Sequence, residues 1–173
     1  MAQLILLACL IAWLLVCMIF DLRYREVPMK WTVFPMIAAG SYALFLGNWG
    51  PVVQTAGLIV LSDIKPRRLR LFLAVFLSAV AGIFDSTILI QVAALVLIWL
   101  LWEAGAMGGA DAKLLIVIAL VTGQPTIFLF IALAGGIQGI IAIFARQKSV
   151  PYVVAIFSGT FLSTIYTLVL HIL

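Results

Sequence analysis

The sequence predicts an all-α protein, a polytopic transmembrane bundle of about six to eight helices. Apolar residues make up 66% of the 173-residue chain and charged residues only 9%, where a soluble domain carries roughly a quarter. Mean hydropathy is +1.33. Residues 4–20 form an unbroken apolar run of 17 residues, about the length that crosses a hydrocarbon core of roughly 30 Å as a helix. No polar linker divides the chain, so the expectation is a single transmembrane domain over 1–173, surrounded by lipid bilayer, with any chemistry in or beside the membrane.

Apolar runs read against breakers place helices near residues 3–20, 31–47, 51–63, 71–85, 87–104, 108–123, 125–144 and 151–171. The first run has no basic region before it and no small-x-small site before Asp21, so it reads as a retained helix and not a cleaved signal peptide. Cys9 and Cys17 lie too far apart along that rod to bond, and read as buried packing residues. The third, fourth and sixth runs are short for a full crossing, which calls for extension by flanking residues or shielding within the bundle. In the seventh, GGIQG at residues 135–139 has the small-residue spacing of closely packed membrane helices.

If all eight runs cross, the gaps between them alternate sides. Arg23, Arg25 and Lys30 follow the first helix, Lys65, Arg67, Arg68 and Arg70 the third, Lys113 the fifth, and Arg146 and Lys148 the seventh. Every lysine and arginine then falls on one side, which the positive-inside rule makes cytoplasmic. The opposite gaps, NWG at 48–50, DS at 85–86 and GQP at 123–125, contain no base. The net charge of +4 therefore reports orientation in a cell membrane, and KPRRLR at 65–70 reads as a topological anchor, with no nucleic-acid partner implied. Trp31, Trp49 and Trp102 suit an aromatic belt. No CxxC pair or histidine cluster exists, and the single histidine is His171, so neither a metal nor a cofactor is expected.

The same scheme sets Asp21, Glu26, Asp63, Glu103 and Asp111 near the cytoplasmic boundary and Asp85 on the other side. Asp21 directly follows the first apolar run, and Asp111 sits in GAMGGADAKLL (105–115), so the two share one membrane depth. Two carboxylates close together in a partly dry site share a proton, leaving one as base and the other as acid. The base activates a water against a peptide carbonyl and the acid protonates the carbonyl oxygen, which is aspartic protease chemistry. Gly108 and Gly109 give the backbone latitude beside Asp111 and room for a substrate chain. Plainer readings stand alongside: Asp111 as a helix N-cap, Asp21 as an interfacial acid paired with Arg25, and Lys113 as an interfacial anchor. Glu103 pairs with Lys113 or tunes the site and is not assigned to catalysis.

FDLRYREVP at 20–28 after a first transmembrane helix, with GAMGGADAKLL at a later one, resembles the type IV prepilin peptidases and the archaeal preflagellin peptidases. In that family the aspartate of a D-x-R-x-x-x-[IV]-P-like stretch and the aspartate of a G-x-G-D-like stretch form the catalytic pair, which carry over to Asp21 and Asp111. Gly108, Gly109 and Lys113 fall in the second stretch. VPYVVA at 150–155 is similar to a P-Y-x-x-A stretch of small family members. The resemblance implies an aspartic endopeptidase that removes a short basic leader from a prepilin-like or preflagellin-like precursor, with its active site facing the cytoplasm. Ala110 stands where the motif has its second glycine, and the interval between the aspartates is longer than in the smallest members. The cysteine-bearing insert of the methylating bacterial members is absent, so methyl transfer is not implied.

Presenilin-like proteases need Tyr-Asp and Pro-Ala-Leu motifs that this chain lacks. Ser158 and His171 make poor partners for a serine rhomboid, and lipoprotein signal peptidases place their acids outside. The non-enzyme alternative is a small membrane transporter or a pilus-assembly subunit that uses the acids for ion or proton binding. The eight-crossing scheme makes its own prediction: a compartment reporter fused after Leu173 is expected to read out on the extracytoplasmic side, and a cytoplasmic signal would overturn the scheme.

Overall fold

A computed structural model describes residues 2–84, 88–146 and 151–172. Asp85, Ser86, Lys148 and Val150 lie outside the described residues, as does the side chain of His171. Among the described residues there are eight helices and no strand: α1 (Ala2–Tyr24), α2 (Lys30–Phe45), α3 (Trp49–Ser62), α4 (Arg67–Phe84), α5 (Leu89–Glu103), α6 (Gly109–Thr122), α7 (Thr126–Phe144) and α8 (Tyr152–Ile172). The fold is the expected all-α transmembrane bundle. Packing divides the chain into two compact units, Met1–Trp31 with Thr126–Leu173, and Thr32–Pro125.

The first unit holds α1, α7 and α8, with α8 packed against both others. Among the described residues, three spans are long and apolar enough to cross a membrane, Leu4–Tyr24, Thr126–Phe144 and Tyr152–Val169, and all belong to this unit. Ala155, Gly159 and Ser163 recur every fourth residue on α8 and are all buried. A Cβ built on Gly159 would overlap the backbone of Phe130 and Ile131 on α7, so the helices touch main chain to main chain there. GGIQG contributes less than its spacing promises: Gly135 lies under Tyr152 and Ala155, while Gly136 and Gly139 face open space. The closest approach falls to Gly159 instead. Of the two cysteines, Cys17 is buried as expected, but Cys9 is exposed.

The second unit is built from the shorter helices α3 to α6, preceded by α2. Here α3 packs on α4 and α5, and α5 packs on α4 and α6. With 14 residues each, α3 and α6 extend only about 21 Å. Polar side chains tie this unit together: Gln54 Nε2 donates to Ser78 Oγ at 2.9 Å, and Gln91 Nε2 donates to the Ala119 carbonyl in the last turn of α6 at 2.7 Å. α6 buries Ala112, Leu114, Leu115, Val117, Ile118, Ala119 and Leu120. A helix apolar and buried over so much of its circumference sits inside a protein and not at its edge.

Pro35 lies inside α2 and has no N–H to return to the carbonyl four residues earlier, that of Trp31. The indole Nε1 of Trp13 on α1 donates to this carbonyl at 3.0 Å. A proline break in an apolar setting is thus repaired by a side chain. Trp13→Phe is expected to lower stability in detergent micelles by about 1 kcal/mol. The loss should shrink in a Pro35→Ala background, where the helix supplies its own N–H; equal losses in both backgrounds, measured by unfolding, would refute this account.

Candidate active site

Asp21 occupies the last turn of α1. That helix ends where Arg25 takes a φ of 57° and gives its N–H to the Asp21 carbonyl at 2.9 Å, the left-handed cap that glycine more often supplies. The Asp21 side chain reaches across to α8: its carboxylate takes the backbone N–H of Val153, and the charge of Arg25 acts on it. Oδ2 is buried without a hydrogen-bond partner. The first N–H groups of any helix lack intrahelical acceptors, so an acid borrowed from α1 serves the start of α8 and sits at the positive end of that helix's dipole. Arg25 is therefore one influence on Asp21 among several, beside the helix start that the PYVVA residues form.

Asp111 belongs to the second unit, and the glycines before it divide their work. Gly105, at φ 71°, ends α5: its N–H bonds the Trp102 carbonyl and the Ala106 N–H bonds the Leu101 carbonyl, both at 2.9 Å, a Schellman pair that needs a left-handed residue between them. Gly108 is the N-cap of α6, with ordinary extended angles of φ −68° and ψ 149°. Asp111 is consequently not the N-cap that residue type alone allowed but the third residue of the helix, a position where an acid faces the dipole favourably. A Cβ on Gly108 would stand 2.9 Å from Asp111 Oδ2. The carboxylate folds back over Gly108, so this glycine provides space for the acid; the unusual backbone angle belongs to Gly105.

Gly109 and Lys113 face elsewhere. With Ala112 and Ile116 they occupy one side of α6, at helical spacings of three and four, and line a cavity of about 330 Å³ shared with Met36, Asp63 and Trp99 among others. The Trp102 indole stands over Gly109, where a Cβ would lie 3.4 Å from Nε1. Asp111 is not among the residues lining this cavity. The structure thus joins Gly108 to Asp111 and sets Gly109 and Lys113 on another face. Asp21 and Asp111 are held in separate units, each by its own local scaffold.

Glu103 pairs with Arg70, not Lys113. Arg70 also donates from Nη1 to the Ser62 carbonyl at 3.1 Å, and Trp99 Nε1 donates to Ser62 Oγ at 3.0 Å. The network joins the end of α3, the start of α4 and the end of α5, just ahead of the turn leading to Asp111. Sequence reading took Arg70 as part of a topological anchor and gave Trp99 no role.

With the two charges only 17% and 13% exposed, removing one strands the other. Arg70→Met and Glu103→Leu are each expected to lower stability by about 2–3 kcal/mol. The double variant should lose less than the sum in micellar unfolding. Strict additivity would show that the pair contributes nothing as a pair.

The family model described as the type IV leader peptidase family matches residues 8–144, a segment that includes both motif aspartates. No curated protein and no solved structure matches the chain. The matched span covers most of the sequence, and with the helical membrane fold around it, the chain belongs to the type IV leader peptidase family.

Proposed function

We propose that this peptidase is an aspartic endopeptidase that removes the short basic leader from prepilin-like or preflagellin-like precursors at the cytoplasmic face of the cell membrane, with Asp21 and Asp111 as its catalytic pair. The observation that carries this reading is the setting of Asp111, whose carboxylate folds over the glycine of its own motif. A plain helix cap would make no such demand on Gly108. Asp21 supports it, since one of its buried carboxylate oxygens has no hydrogen-bond partner.

In this mechanism one aspartate is ionised and the other protonated. The carboxylate takes a proton from water as the water oxygen attacks the scissile carbonyl carbon. The protonated partner gives its proton to the carbonyl oxygen, and a tetrahedral intermediate forms. When the C–N bond breaks, the departing amine takes up the proton the first carboxylate had accepted, and the second aspartate takes back a proton from a hydroxyl of the intermediate as the new carboxyl group forms, which restores the pair. The basic leader remains on the cytoplasmic side and the precursor's hydrophobic helix stays in the bilayer.

Co-expression with a tagged precursor tests the reading. Asp21→Asn and Asp111→Asn are each expected to slow leader removal by about 10²-fold or more, and wild-type cleavage by either would sink the dyad. Gly108→Ala keeps the backbone angles but pushes the Asp111 carboxylate aside, so a drop of roughly tenfold or more with an unchanged melting temperature is expected. Full activity in that variant would show that the fold-back of Asp111 plays no part.

A further inference from the structure

We infer that Gln138 is a positioning residue for Asp21: by holding the Pro151 carbonyl it fixes the first turn of α8, and with it the Val153 N–H that the Asp21 carboxylate accepts. The inference rests on the reading of Asp21 as a catalytic acid and extends it to a residue on a third helix.

Gln138 is a primary amide in a helix otherwise composed of apolar and small residues. Its Nε2 donates to the Pro151 carbonyl at 3.0 Å, while its Oε1 is buried without a partner. An amide placed for packing alone would be replaced at no loss by a hydrocarbon, since burying an unpaired amide oxygen is costly. The bond to Pro151 is what the residue supplies. Turning the amide over would set oxygen against oxygen, so the geometry admits one orientation.

Pro151 precedes the first residue of α8, and its carbonyl also accepts the N–H of Val154 at 3.2 Å, closing the first turn. One helical turn before Gln138 on the same face of α7, Gly135 lies beneath the Tyr152 ring, where a Cβ would stand 3.4 Å from Cε2. Residues 151 and 152 are therefore pinned by α7, and the next residue, Val153, presents its N–H to Asp21 on α1. Val153 itself is 1% exposed, so this turn has little room to move. Three helices meet at one turn of backbone. Asp21 is aimed by a main-chain group, and that group is aimed by Gln138.

The test uses the full-length protein in membranes with a tagged precursor. Gln138→Met, which keeps the length of the side chain and removes the donor, is expected to lower kcat roughly tenfold or more with KM unchanged. Gln138→Glu supplies a donor only when protonated, so its rate relative to wild type should rise as pH falls. A pH-independent ratio, or wild-type kcat in Gln138→Met, would overturn the inference. Should Gln138→Met fail to fold, the pH ratio of the Glu variant decides alone. Asp21→Asn, assayed in parallel, separates the two ideas: an active Asp21→Asn variant defeats the dyad, while an inactive one beside a fully active Gln138→Met variant defeats only the positioning role.

Discussion

The constraint on which the structure depends is that a carbonyl or N–H released inside an apolar protein has no water to turn to. This chain has few polar side chains, and several of them are placed at such groups. Trp13 takes the Trp31 carbonyl that Pro35 releases, Arg70 takes the carbonyl of the last residue of α3, Gln91 bonds a carbonyl in the last turn of α6, and Gln138 bonds the carbonyl that opens α8. Each bond crosses from one helix to another. Satisfying the backbone and fixing helix positions are here the same act.

The two motif aspartates illustrate opposite uses of a helix start. Asp111 stays within its own helix and leans back over Gly108, the glycine that caps it, so its position is set locally. Asp21 reaches to another helix altogether and takes an N–H from the start of α8. Its position depends on residues more than a hundred places away. A change in α7 or α8 thus bears on Asp21, whereas the setting of Asp111 answers mainly to the turn between α5 and α6.

The Gly-rich stretch shows how similar residues take different physical roles. Gly105 carries the left-handed angle, Gly108 leaves space for a carboxylate, and Gly109 lies under an indole. Sequence reading assigned backbone latitude to Gly108 and Gly109, because glycine signals freedom without saying which kind. Only the placement of α5's last residue and α6's first separates the roles.

What the sequence by itself determined was the membrane setting, the rough extent of the helices within a count of about six to eight, and the two motifs that carry the family resemblance. These follow from local pattern: runs of apolar residues long enough to bury a backbone, punctuated by glycine, proline and charge. What only the tertiary structure decided was partnership. That Glu103 meets Arg70 instead of Lys113, that Gly159 and not the GGIQG stretch makes the closest approach, and that Gln138 reaches the start of α8 all depend on which helix faces are turned together. Helices this uniformly apolar have no strong polar face to declare that orientation in advance. It is set by packing between small residues and by the few backbone groups that needed a partner.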